Sequence, residues 1–223
     1  MEVAGGIAIG AVLSYLLGAI PFGFLVGLLY GLDIRKVGSG NTGATNLARA
    51  LGGGYRGLYA FAVVSVLDVL KGFLPTFFLP GFLQELVAGP VPARIYLQLI
   101  FGLATITGHI FSVYLRLRGG KAVNTSLGVV LALAPMPAFI TLGVWVIVFI
   151  IWRYVSLASI IAAAVLPLAL MVARYPRQGN RLLYGFCVLV AVLVIVRHVS
   201  NIRRLIKGTE NRMGGRTNST PTG

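Results

Sequence analysis

Gly38-Ser39-Gly40-Asn41-Thr42-Gly43-Ala44-Thr45-Asn46 places three glycines, two amides and three hydroxyls in nine residues, directly after a long apolar run and the basic pair Arg35-Lys36. Glycines let backbone N–H groups turn inward and small polar side chains add donors, so this segment reads as a nest for phosphate oxygens. The alternative is a flexible polar loop. A second segment, Arg118-Gly119-Gly120-Lys121-Ala122-Val123-Asn124-Thr125-Ser126, has a Gly-Gly-Lys turn leading into an apolar helix. Free N–H groups at a helix start, with a lysine beside them, suit an anion. The spacing is not that of a nucleotide-binding P-loop, and no strand precedes it. A third cluster, Arg197-His198-Val199-Ser200-Asn201-Ile202-Arg203-Arg204, sets His198 and Asn201 three apart. If the helix continues through them, they share a face as hydrogen-bonding ligands for a polar substrate.

The rest of the inventory narrows the chemistry. Glu2, Asp33, Asp68, Glu85 and Glu210 are the only acids, too scattered for paired-carboxylate catalysis or a multi-carboxylate metal site. The single cysteine, Cys187, lies within an apolar helix and reads as packing, so disulfides and Cys/His zinc sites are excluded. Neither His109 nor His198 is followed four residues on by an acid, the arrangement of many soluble-type acyltransferases. Asp68 and Lys71, at i and i+3 within a span, read as a structural ion pair. Ser156, at a membrane edge after Arg153-Tyr154, is either a ligand or a small packing residue.

These groups must be positioned by membrane helices. The chain of 223 residues is 57% hydrophobic and only 11% charged, and several runs reach the roughly 20 residues that cross a bilayer. The pattern predicts an all-α polytopic bundle with seven transmembrane helices, at about 3–30, 55–79, 94–115, 122–134, 137–152, 155–174 and 181–197. Pro135-Met136-Pro137 leaves an alternative in which the fourth and fifth runs form one broken helix, giving six spans. The first run lacks a basic n-region and is too long for a signal sequence, and Pro21 should kink it. With seven spans, most of the arginines and lysines follow helices one, three, five and seven. Arg94, Arg174, Arg177 and Arg181 fall on the other side. That bias puts the N-terminus outside and the C-terminus in the cytoplasm. It also accounts for the net charge of +14, together with attraction to anionic membrane lipids, so no nucleic-acid partner is expected. Residues 1–212 are read as a single transmembrane domain and 213–223 as a disordered tail.

At these residues the chain resembles the bacterial membrane glycerol-3-phosphate acyltransferases that use acyl phosphate as donor. Gly38–Asn46 with Arg49-Ala50-Leu51-Gly52, Gly108-His109-Ile110-Phe111 with Gly119-Gly120-Lys121, and Arg197-His198, Asn201-Ile202, Arg204-Leu205 and Gly208-Thr209-Glu210 carry the likeness. The resemblance implies an inner-membrane enzyme with a cytoplasmic active site. It would pass a fatty acyl group to the 1-hydroxyl of glycerol 3-phosphate, giving lysophosphatidate and phosphate, with no metal or cofactor. An acyl-phosphate-forming enzyme at the cytoplasmic face is the partner this donor suggests. By matching position, Lys121, His198, Asn201 and Arg49 are the expected catalytic residues. Ser39, Gly40, Asn41, Thr45, Asn46, Gly119, Gly120 and Ser156 are the expected substrate-binding set, and Glu210 looks structural. The base for the glycerol hydroxyl is either His198 or a substrate phosphate. The family's second motif usually reads Gly-Gly-Lys-Gly-Val-Ala-Thr, whereas this chain has Ala122 and Asn124. Two other readings remain: the same fold with another acceptor, and an anion or phospholipid transporter, which would need a polar path the spans do not supply.

Overall fold

A computed structural model describes residues 2–87, 89–174 and 181–214. Their regular structure is all helical, with no strand among them. Arg177 and the expected tail beyond Gly214 lie outside the described residues. Helix α1 (Val3–Ala19) and helix α2 (Phe22–Leu29) form one 27-residue apolar stretch, broken at Ile20-Pro21. Proline has no N–H, so the break frees carbonyls that lipid cannot satisfy. Other helices do so: Ser112 Oγ donates to Ala19 O at 2.5 Å and Lys71 Nζ to Ile20 O at 2.7 Å. The expected kink is therefore present, and its open carbonyls are capped from neighbouring segments.

Helix α3 (Ala44–Ala50) is short and closes the glycine-rich loop; helix α4 (Gly54–Leu86) is 33 residues long, and helix α5 (Arg94–Ile110) runs on through a 3₁₀ turn at Val113–Leu115. Helix α6 (Val123–Leu133) has 11 residues, about 16 Å of rise, roughly half the hydrocarbon thickness. Helix α7 (Pro135–Trp152) and helix α8 (Val155–Val172) are each 18 residues. Helix α9 (Arg181–Arg197) meets helix α10 (Val199–Ile206) at a 57° bend. By length and apolarity, five of the described stretches can cross a membrane, or six when the bent pair is counted.

The prolines at 135 and 137 start a new helix rather than kinking an old one. Ala134 is extended, at φ −148° and ψ 77°, and Pro135 opens α7. Asn124 at the start of α6 and Trp145 within α7 line the same cavity. In one continuous helix they would stand about 31 Å apart, so the chain doubles back at Ala134.

Lipid provides no hydrophobic drive between helices, so close backbone packing holds them. Gly18 of α1 lies against the Thr105 carbonyl of α5, and Gly108 of α5 against the Tyr15 carbonyl. Gly72 of α4 and Gly128 of α6 meet in the same way, each against a carbonyl of the other helix. Beside this crossing, Ile106, Val129, Leu133, Leu170, Leu183 and Cys187 build the bundle's main buried cluster. A smaller cluster of Ile34, Ala44, Leu47, Ala60 and Val64 anchors the glycine-rich loop on α4.

A Cβ at Gly128 collides with the backbone of α4, which cannot move aside as a side-chain tip can. Gly128→Val should destabilise the detergent-solubilised protein by about 1–3 kcal/mol, read as a lower thermal midpoint. Gly143→Val, where an added Cβ meets nothing within 4 Å, should leave that midpoint unchanged.

Candidate active site

The loops after α2, after α5, between α7 and α8, and after α9 come together around one cavity of about 270 Å³. These are the segments that the charge pattern assigns to a single face. Ser39, Asn41, Thr45, Asn46, Arg49, Lys121, Ser156, His198 and Asn201 all line it. Gly40, Gly119 and Gly120 do not.

Asn46 organises the first wall. Its Oδ1 accepts from Ser39 N at 3.0 Å, while its Nδ2 donates to Ile34 O at 2.9 Å and Val37 O at 3.0 Å. The amide is therefore spent on shaping the loop. Gly38 sits at φ +60°, facing that amide, where a Cβ would crowd Asn46 Oδ1. The side chains of Ser39, Asn41 and Thr45 line the cavity without a hydrogen-bond partner among the described residues, leaving them available to a ligand.

Gly119 and Gly120 act differently from the expected phosphate nest. Their N–H groups donate to Ile110 O and His109 O, each at 3.1 Å, and their carbonyls accept from Arg197 at 3.4 and 3.3 Å. Their value is the absence of a side chain: a Cβ on Gly119 would strike the His109 carbonyl, and one on Gly120 the His109 ring. The turn can thus lie flat against α5 and deliver Lys121 to the cavity. Ala122 follows in the left-handed region at φ +59°, a conformation costing an L-residue about 1–2 kcal/mol.

The third wall departs from a continuous helix. The chain bends at His198, yet His198 and Asn201 both reach the cavity. Arg197 turns away to the Gly119-Gly120 carbonyls. Glu210, buried at 7% exposure, joins the elements: its Oε1 accepts from Ser156 Oγ and Asn201 Nδ2, both at 2.8 Å, and its Oε2 pairs with Arg204 Nε at 2.6 Å. Asn201 Oδ1 in turn accepts from Lys121 Nζ. Arg49 donates to Asn211 O at 2.8 Å and keeps a buried Nε without a partner among the described residues.

Arg49, Lys121 and Arg204 outnumber the two acids of the lining, Glu210 and Asp68, and Asp68 is paired with Lys71, so the cavity suits anions. Burial pushes the Lys121 ammonium down to about 8; Arg204, Arg49 and Arg197 add to the shift and Glu210 opposes it. The His198 imidazole is held down at about 4, by burial first and then by the Lys121 charge. Neutral His198 donates from Nδ1 to Val194 O at 2.8 Å, which leaves Nε2 as an acceptor. For Glu210, burial favours the neutral form. Hydrogen bonds from Asn201, Arg204 and Ser156 outweigh it and keep the carboxyl below its ordinary range.

The cavity continues into an apolar groove of about 420 Å³. It runs from Val123 to Leu131 on α6, from Trp145 to Ala138 on α7 and from Ser159 to Leu166 on α8, about 11 Å along each helix. Phe61, Val123, Asn124, Trp145 and Ser159 line both spaces. Val66 and Leu70 on the α4 rim are 57% and 41% exposed on the bundle surface, so the groove opens sideways. Sequence reasoning assigned no site role to Arg204 or Trp145, named Asn124 only as a departure from the family's second motif, and left Ser159, like Ser156, as either cavity lining or helix packing. Arg204, three residues after Asn201 on α10, carried a usable signal in that spacing. The apolar groove carried none, because its lining has the same composition as a lipid-facing helix surface.

A cationic cavity joined to an apolar groove inside a polytopic helical bundle suits a membrane protein that handles anionic amphiphiles. The family model described as Glycerol-3-phosphate acyltransferase matches residues 8–208. A Glycerol-3-phosphate acyltransferase of Trichlorobacter lovleyi is 45% identical over 199 residues, 89% of this chain and 93% of the relative. One from Staphylococcus haemolyticus is 42% identical, covering 93% of this chain and 98% of the relative. Among solved structures, the glycerol 3-phosphate form of PlsY, an integral membrane glycerol 3-phosphate acyltransferase, superposes with a TM-score of 0.79 at 39% identity. That match covers 93% of this chain and 96% of PlsY. The lysophosphatidic acid form gives 0.76 at 38% identity, covering 92% and 94%. The chain belongs to the glycerol-3-phosphate acyltransferase family and is a multi-pass membrane acyltransferase of the PlsY type.

If Lys121 holds a phosphate it must do so as an ammonium, so kcat/KM for glycerol 3-phosphate should fall as the pH rises through about 8. Lys121→Arg keeps the positive charge and should remove that descending limb. Initial rates at sub-saturating acceptor, from neutral to alkaline pH, check it; the same limb in the variant would assign it to another group.

Proposed function

We propose that this enzyme moves a fatty acyl group from acyl phosphate to the 1-hydroxyl of glycerol 3-phosphate, giving lysophosphatidate and phosphate. The reaction takes place at the cytoplasmic face of a bacterial inner membrane, on a chain whose N-terminus is outside when the short α6 is counted as a seventh membrane helix beside the six longer stretches. The observation carrying this reading is the continuity of a cationic cavity with an apolar groove through five shared residues. An acyl phosphate has that same division, a charged head joined to an apolar chain. Glycerol 3-phosphate brings a second charged head to the polar side only, and the ligands named for the two PlsY forms have these same two shapes.

The donor is supported by what the site asks of its substrate. Cys187 packs within the bundle core and does not line the cavity, and the Ser156 hydroxyl is committed to Glu210. A mixed anhydride needs no covalent nucleophile: the acceptor oxygen attacks the acyl carbon, the carbon–oxygen bond to phosphate breaks, and phosphate departs with the electron pair. Arg49, Lys121 and Arg204 orient the two phosphates and stabilise the charge that develops as the bond breaks.

Basicity favours a substrate phosphate over His198 for the hydroxyl proton. Burial and the Lys121 charge hold the imidazole down at about 4, below the ordinary second pKa of a phosphate monoester near 6. His198 Nε2 accepts a hydrogen bond from the bound acceptor and fixes its orientation.

Purified protein given a long-chain acyl phosphate and glycerol 3-phosphate should release one phosphate for each lysophosphatidate formed. The same protein with acyl-CoA should form none. Product from acyl-CoA alone would overturn the donor assignment, and turnover only with a different polyol phosphate would overturn the acceptor.

A further inference from the structure

The acyl carbonyl has to lie where the charged cavity passes into the apolar groove, since the head belongs in one and the chain in the other. This placement rests on the acyl-phosphate reading above. Three polar side chains line both spaces: Asn124, Trp145 and Ser159. Two of them have committed their protons. Trp145 Nε1–H donates to Ser159 Oγ at 3.1 Å, and the Ser159 hydroxyl donates to Val155 O at 2.8 Å. The Asn124 carboxamide has no hydrogen-bond partner among the described residues, and it is half-buried at the junction.

Asn124 also stands in the first turn of α6, just after the left-handed turn at Ala122. The backbone N–H groups of that turn have no acceptor within the helix, and its positive end points toward the junction. Side chain and helix start thus favour negative charge at one place, and the side chain adds a donor with no partner among the described residues.

We propose that Asn124, standing where the family's second motif usually has alanine, is an additional catalytic residue of this chain that polarises the acyl carbonyl through its Nδ2–H. The glycerol oxygen forms its bond to the acyl carbon while the carbonyl π electrons move onto oxygen, where Asn124 donates. The carbonyl then re-forms, the bond to the phosphate oxygen breaks, phosphate leaves with that electron pair, and the hydroxyl proton ends on phosphate. Val123, Phe61 and the Trp145–Ser159 pair border the carbonyl without offering a proton.

The test uses the full chain in detergent micelles, comparing wild type with Asn124→Ala and the near-isosteric Asn124→Leu. Each is checked for an unchanged thermal midpoint. Both variants should lose roughly tenfold or more in kcat, with KM for glycerol 3-phosphate within about twofold. Two inhibitors separate carbonyl recognition from a change in groove shape. An acyl phosphonate, which keeps the carbonyl, should bind more weakly to both variants, whereas an alkyl phosphate, which lacks it, should bind as before. Unchanged kcat in both variants, a loss confined to KM for the acceptor, or equal weakening of both inhibitors would each overturn the proposal. Wild type that releases no phosphate from acyl phosphate would remove the donor reading and this inference together. Active wild type with unaffected variants removes only the inference.

Discussion

Glu210 is the acid of the Ser156–Asn201–Arg204–Lys121 network, and the geometry of the cavity depends on it. Its carboxylate receives Ser156 from the start of α8 and Asn201 and Arg204 from α10. Asn201 relays the connection to Lys121, eighty residues earlier in the chain. Without that negative charge, Arg49, Lys121 and Arg204 would face one another across a partly desolvated space. With it, the three cations are held apart at fixed positions and still leave a net positive field. The cost of assembling like charges is met during folding, before any phosphate arrives, which is what preorganisation means in electrostatic terms. A structural residue and a functional one are hard to separate here, because the same carboxylate fixes the bundle's end and sets the spacing of the anion site.

Deeper in the bundle the same logic appears with a second pair. Asp68 and Lys71 are 2.7 Å apart and almost fully enclosed, and Lys71 also caps the Ile20 carbonyl opened by Pro21. Removing one partner of such a pair costs about 3–5 kcal/mol, because the survivor is left charged and unpaired. The kinked first span and the long second helix are thus fastened at the level of the cavity floor. His109 stands against the same floor, 3.0 Å from Thr125 Oγ1, with Gly120 pressed on its ring. Polar contacts inside the membrane concentrate just beneath the site and leave the remainder of the bundle to glycine-mediated backbone packing.

Much of this was legible in the chain. Apolar runs interrupted by glycine-rich and basic segments mark both the helices and the loops that converge on the cavity, because lipid forbids polar segments elsewhere. The kink at Pro21 follows from a single residue with known dihedral limits, and it is present. Other features were hidden for physical reasons. The 122–134 run is apolar enough to suggest a full span, but hydropathy does not record that Ala134 turns the chain after 11 helical residues. Gly119 and Gly120 look like a phosphate nest by composition. Which way their N–H groups point is set by the neighbouring α5 carbonyls, a tertiary fact. The hub role of Glu210 depends on Ser156, which is 54 residues away, and the groove is written in the same leucines and valines that face lipid.

The sideways opening of the groove along Val66 and Leu70 has a consequence for traffic. Each methylene moved from hydrocarbon into water costs about 0.8 kcal/mol, so a long chain that had to leave through the charged cavity would be trapped by its own solubility. An opening along the side of the bundle lets that chain slide between bilayer and protein without ever being wetted, while the small anions exchange through the polar mouth. On the proposed reaction, water-soluble and lipid-soluble reactants then arrive and depart by separate openings. One rigid bundle can then turn over without a lid, a carrier or a large domain movement to bring the two phases together.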